Sequence, residues 1–114
     1  PVLWSEKNQL TSDSMNIAIV NNQPDSLIMY NTAFIVMQDT TDSFNQIKGR
    51  DMVGYFSGSK LKSIVVDGNA QTIFYLRDDD NYLMGINKAE SSTMQIRLEN
   101  GKVKTVSYNR SEEH

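Results

Sequence analysis

The chain alternates apolar and polar residues at a period of two, and three stretches of it share one register. Met15, Met52 and Met94 mark that register and lie 37 and 42 residues apart. A period of two indicates β-strands, and the polar turn after each stretch indicates a hairpin. The pattern therefore predicts an all-β protein of about three hairpin repeats. The other aligned positions, two, four and twelve residues after each methionine, are Ile17, Gly54 and Ile96, then Ile19, Phe56 and Leu98, then Leu27, Ile64 and Val106.

Polar residues interrupt the longest strand stretches near their middle. Residues 26–38 exceed the length of an average strand and are broken at residues 31–32, and the second repeat is broken at the aligned residues 67–69. Glycine at such a break suits a bulge or a tight bend, so we expect the strands to turn a shared corner there. The third repeat stops near Asn109, and nothing in it corresponds to residues 33–37 of the first repeat or residues 70–76 of the second. We therefore expect one domain over residues 1–114, part of a longer array, with almost no helix.

Composition excludes several classes of function. The 114 residues are 39% hydrophobic and 22% charged, with a net charge of −3 and a mean hydropathy of −0.47. The lysines and arginines are scattered among acids, without the basic stripe and stacking aromatics that nucleic-acid binding requires. The apolar runs are only a few residues long, too short to span a membrane. A small domain that binds no nucleic acid is the expected class.

Little in the chain predicts catalysis, a cofactor or a metal site. There is no cysteine, and the only histidine is His114 in the acidic tail, so catalytic triads and histidine or cysteine metal sites are not expected. The acidic run at residues 78–80 lacks the ligand spacing of a calcium loop. Asp51, Asp67 and Glu90 could supply paired carboxylates, but nothing in the sequence singles them out. We expect no enzyme.

Two surfaces remain as candidates. The first is the apolar face itself, which is ordinarily core, although methionine makes such a face adaptable enough to accommodate lipid. The second is a set of aligned lysines, Lys60 and Lys62 in one repeat and Lys102 and Lys104 in the next. Lysine at these positions protects strand edges from pairing, and anion binding is the alternative interpretation.

Three segments have a familiar pattern of small and apolar residues: DMVGYF at residues 51–56, LKSIVVDGNA at residues 61–70 and GINKAESS at residues 85–92. They resemble the OstA-like family, which includes the periplasmic lipopolysaccharide-transport bridge protein and the N-terminal domain of its outer-membrane partner. The resemblance covers about residues 10 to 109. It implies an open β-jellyroll, a V-shaped stack of antiparallel strands whose apolar interior holds lipopolysaccharide acyl chains, in the periplasm and without catalytic residues. Domains of this family join end to end.

The resemblance and the alternation together give a candidate lipid site. We expect the apolar interior to be an open trough, with the four lysines at its rim in possible contact with lipid phosphates. The expected interior residues are Met15, Ile17, Ile19, Met29, Ile35, Met37, Met52, Phe56, Ile64, Val66, Phe74, Leu76, Met94 and Ile96.

The sequence leaves two other functions open. One is a structural β-repeat module that joins proteins through strand edges and binds no lipid. The other is a carbohydrate-binding or hydrolytic β-domain, for which Trp4 and five scattered tyrosines are thin support. The expected partners are lipopolysaccharide or a similar lipid, other lipopolysaccharide-transport proteins through strand-edge pairing, and further copies of the chain head to tail. The terminal strand at residues 102–109 is the candidate edge.

Overall fold

The protein is all-β, as the sequence predicts. The computed structural model describes residues 2–5, 8–38, 44–58, 60–77, 80, 82–99 and 102–109. The predicted absence of helix is confirmed for these residues. None of them forms a helix that could span a bilayer. The strands are β1 (Val2–Ser5), β2 (Asn8–Thr11), β3 (Ser14–Val20), β4 (Gln23–Gln38), β5 (Phe44–Ser57), β6 (Lys60–Arg77), β7 (Leu83–Glu99) and β8 (Lys102–Asn109).

All eight strands form one open antiparallel sheet. Its order is β1-β2-β4-β5-β6-β7-β8, and β3 also pairs with β4. Both β2 and β3 lie along the same edge of β4, β2 against residues 34–37 and β3 against residues 23–30. They act as two halves of one long strand that is interrupted at residues 12–13. If β2 and β3 are counted as one interrupted strand, neighbours in sequence are neighbours in the sheet, as stacked hairpins require.

The long strands turn a corner at the predicted breaks. The β4–β5, β5–β6 and β6–β7 registers each shift there, between Tyr30 and Ala33, between Lys48 and Asp51, and between Asp67 and Ala70. The backbone takes left-handed conformations at the corner, with φ values of 64° at Asn31, 57° at Thr32, 89° at Gly68 and 54° at Asn69. Extra residues in a bulge bend a strand, so aligned bulges bend the whole sheet.

The corner divides the sheet into two arms. We call arm A the part that contains β3, β8 and residues 23–30, 51–57, 60–67 and 93–99. Arm B contains β1, β2 and residues 33–38, 44–49, 70–77 and 83–91. Side chains on one face of both arms are buried in a single hydrophobic cluster. One face of an uncovered sheet would be solvated, so this burial requires the arms to cover each other. The fold is the open, bent β-sheet expected of a jellyroll.

The N-terminal hairpin contains a core residue that the sequence pattern does not reveal. β1 and β2 are four residues each, and Leu10 in β2 is fully buried against the cluster. A single apolar residue in a four-residue strand carries too little alternation to be recognised. His114 and most of the acidic run at residues 78–80 lie outside the described residues.

Candidate functional site

A row of methionines crosses the inner face of arm A. Met15 lies opposite Met29, Met29 opposite Met52, Met52 opposite Val66, and Val66 opposite Met94. Partners in an antiparallel sheet share a face, so the three aligned methionines of the repeat lie on one side, as predicted. Met29, Met52 and Met94 are buried, and Met15 on the edge strand is half-buried. The row therefore places four flexible thioether side chains and Val66 next to one another across five strands.

A second apolar row lies beside the methionines, further from the corner. Its members are Ile17, Leu27, Gly54, Ile64 and Ile96, which are successive partners from β3 to β7. Leu27, Ile64 and Ile96 are fully buried. The pairing register therefore reproduces the predicted alignment of the three repeats at these positions as well. Together the two rows give arm A an inner face without charge.

Arm B contributes a different inner face. Ile35, Met37 and Phe74 are buried there, as expected of interior residues, and Phe56 of arm A packs against the same cluster. Polar groups are interspersed: Thr72 is buried beside Phe74 on β6, with its hydroxyl unpaired. Leu76 belongs to β6, but its side chain lies outside the described part of the structure.

Ile17 and Ile19, which were expected on the apolar interior face, are exposed rather than buried. Ile17 is 46% exposed and Ile19 is 65% exposed. They extend the inner face of arm A, because Ile17 is the partner of buried Leu27 and Ile19 follows two residues later. Their exposure arises because β3 is the outermost described strand at this edge. Alternation predicts the face of a residue but not how far its strand lies from the middle of the sheet.

The interior between the central strands is packed rather than an open trough. The buried hydrophobic residues of the cluster are at most 7% exposed, and several are completely covered. Gly49 shows how closely the strands pack, because a Cβ there would collide with Cγ1 of Val66. The side chains of the chain itself fill the space that was expected to be open. Apolar inner-face surface reaches solvent at the β3 edge, through Met15, Ile17 and Ile19.

The predicted lysines gather at the hairpin end of arm A, away from the corner. Lys62 and Lys104 are both extra residues at register shifts next to a hairpin, in β6 and β8 respectively. Lys60 and Lys62 are exposed, and the Nζ atom of Lys104 lies 3.0 Å from Oε1 of Glu99. Lys102 pairs with Glu99 through the backbone, and its side chain lies outside the described part. One rim charge is thus already neutralised by the protein.

Two of the candidate carboxylates meet at the corner, on the outer face. Asp51 and Asp67 are cross-strand partners, and Arg50 bridges them, with Nε 3.0 Å from Oδ2 of Asp51 and Nη2 3.4 Å from Oδ2 of Asp67. The backbone N–H of Asn31 donates to Oδ1 of Asp51 at 3.0 Å. This hydrogen bond, together with the one from Arg50, lowers the pKa of Asp51. A carboxylate stabilised in its charged form is a poor general acid.

The corner network could not be found from composition alone. Its sequence signal is positional: Asp51 directly precedes Met52, and Asp67 directly follows Val66. Since Met52 and Val66 are inward partners, the adjacent acids must both face outward and lie opposite each other. The described residues contain no cluster of acidic or histidine ligands that could hold a metal ion. The bonds of the network join β4, β5 and β6 at the bend, and we call this network the corner clamp.

Comparison with known proteins returns no relative: no family model, no curated protein and no solved structure matches the chain.

Proposed function

We propose that this chain is a non-enzymatic, lipid-carrying domain that shields lipopolysaccharide acyl chains during transport across the periplasm to the outer membrane. The observation that carries the proposal is the inner face of arm A, whose methionine row runs from the buried Met94 to the half-exposed Met15 at the β3 edge. An uncharged, adaptable surface that begins in solvent and continues into the core suits an acyl chain. The resemblance to the OstA-like family adds the substrate and the compartment.

Carrying an acyl chain through water requires an apolar surface that shields it. It requires no covalent chemistry. Each methylene removed from water contributes about 0.8 kcal/mol, so a chain of roughly a dozen carbons needs shielding worth about 10 kcal/mol. Ile17 and Ile19 offer a first apolar contact beside Met15. Deeper binding requires the arms to separate and the methionines to repack, which their unbranched side chains allow at low cost.

A photocrosslinking scan along β3 tests the proposal. The strand provides its own control, because its alternate residues point to opposite faces. A photoreactive amino acid at Ile17 or Ile19 faces the inner side, whereas one at Ala18 or Val20 faces the outer side and is also exposed. With lipopolysaccharide as the probe, we expect capture at Ile17 and Ile19 and background at Ala18 and Val20. Equal capture at all four positions, or capture only at the outer pair, contradicts the proposal.

A structural module that joins proteins through strand edges is the second candidate, favoured by the packed interior. An interior already filled by the chain needs no ligand for stability. Edges are available: β8 and β3 are outermost in arm A, and β1 in arm B. Residues 83–90 of β7 pair with β6 on one side and with no described strand on the other. Such edges are templates for another chain, which could be a transport partner or a second copy.

A further inference from the structure

The outer side of the corner carries a polar groove that the lipid proposal does not use. Two adjoining cavities of about 330 Å³ and 290 Å³ lie there. They share Asn69 and Gln71, so they form one depression across β4, β5, β6 and β7. Strands in a sheet lie about 4.8 Å apart, which makes the groove about 14 Å long. Its lining is Asn31, Thr32, Lys48, Gly49, Arg50, Asn69, Ala70, Gln71, Glu90, Ser91 and Ser92.

The groove is a consequence of the aligned bulges. Where the registers shift, the ladder between neighbouring strands is interrupted and the strands separate locally. Asn69 sits at such a shift with a left-handed backbone, and Asn31 and Thr32 do the same on β4. The bend that closes the arms around the core on the inside therefore opens a depression on the outside.

The chemistry of the lining selects against ions and apolar partners. No apolar side chain larger than that of Ala70 contributes to it. The guanidinium of Arg50 is already held by two carboxylates. Lys48, Gln71 and Glu90 form a cross-strand row in which a cation, an amide and an anion follow one another. Opposite charges at the two ends of this row leave it with no net charge to attract a phosphate.

The same row suits a ligand with many hydroxyl groups. An amide both donates and accepts hydrogen bonds, an ammonium donates and a carboxylate accepts. The side chains of Lys48, Asn69 and Gln71 make no hydrogen bond or ion pair with another described residue, so their groups are available to a ligand. We infer that the corner groove binds a short stretch of a neutral carbohydrate chain. Binding is weak and reversible, because the lining includes no aromatic platform on which a sugar ring could stack.

Nuclear magnetic resonance of the side-chain amides tests the inference. The ¹⁵N-labelled protein is titrated with maltohexaose, cellohexaose and chitohexaose as neutral probes, and with a heparin hexasaccharide as an anionic comparator. We expect at least one neutral probe to shift the side-chain amide resonances of Asn69 and Gln71. The heparin probe should bind more weakly than that neutral probe.

The variant pair is chosen to preserve the fold. Asn69→Gly removes the amide at a position where glycine relieves the left-handed backbone, and Gln71→Ala truncates an exposed side chain. Each lost hydrogen bond is worth about a fivefold change in affinity, so the double variant should raise the Kd for the glycan about tenfold or more. Gln95→Ala, on the outer face of arm A away from the corner, should leave the Kd unchanged.

Three results overturn the inference: no shift with any neutral probe, an unchanged Kd in the double variant as followed by the backbone amide resonances of the groove residues, or tighter binding of heparin than of the neutral glycans. None of them bears on the lipid proposal, which concerns the opposite face of the sheet.

Discussion

Met29 lies directly opposite Met52 across β4 and β5, and both side chains are buried on the inner face of arm A. This pair joins a methionine of the repeat register to one that lies on a return strand. It shows that the return strand of one hairpin places an apolar residue beside the repeat methionine of the next hairpin, so the inner-face row continues from hairpin to hairpin. The packing of the inner face follows from this register.

The register predicts that aspartate substitutions at two neighbouring valines lower the stability by very different amounts. Val66 is fully buried on the inner face, whereas Val65 is half-buried on the outer face. Val66→Asp should lower the free energy of unfolding by about 3 kcal/mol or more, because it buries an unpaired charge. Val65→Asp should cost much less, because its carboxylate can reach water. Urea denaturation checks both variants, and a reversed order would mean that the strand register is wrong by one residue.

Close packing at Gly49 gives a second prediction. Gly49→Ala places a methyl group against Cγ1 of Val66 and should destabilise the protein by about 1–3 kcal/mol. Val66→Ala removes the colliding group, so the double variant should be more stable than the sum of the single effects predicts. Gly85→Ala is the matched control, because a Cβ there meets no atom within 4 Å. Strict additivity of the two single effects would contradict the predicted contact.

The corner clamp should make the stability of the fold depend on pH in the acidic range. The pKa of Asp51 is lowered in the folded protein by hydrogen bonds from the Asn31 N–H and from Arg50. Its contribution is therefore complete above the ordinary carboxyl pKa of about 3.9 and is lost as the pH falls through the lower folded value. We expect the stability difference between wild type and Asp51→Asn to be constant near neutral pH and to shrink at the acidic end. Asp25→Asn, at an exposed position far from the corner, is the control. A difference that does not change with pH contradicts the clamp.

Edge pairing predicts self-association that depends on protein concentration. β8 is the outermost described strand at one edge of the sheet, and a contact between unlike edges does not close, so it yields larger oligomers. Thr105→Pro or Ser107→Pro should weaken it by removing a backbone donor. Thr105→Lys adds an edge charge while keeping the N–H, and it should have the same effect if the proline variants unfold. A strict monomer at high concentration in sedimentation velocity experiments would refute the prediction.

The sequence predicts the fold well where one rule decides the outcome. Period-two alternation fixes which face Met15, Met52 and Met94 occupy, since a slip of one residue would turn every side chain over. It cannot predict that Ile17 and Ile19 remain exposed, because exposure depends on how many strands lie beside β3. The packed interior also escapes the sequence, because it depends on how closely the bulges bring the two arms together. Lipid binding stays a prediction.

The central claim is that acyl chains contact the methionine-bearing inner face, and the six methionines of the chain report on it directly. The measurement is nuclear magnetic resonance of ¹³C-labelled methionine methyl groups during titration with a spin-labelled acyl lipid. Met84 is 72% exposed and lies outside the buried cluster, so it is an internal control. The account predicts that the signals of Met15, Met29 and Met52 broaden first and that the Met84 signal changes least. Broadening of Met84 with unchanged interior methionines would contradict it.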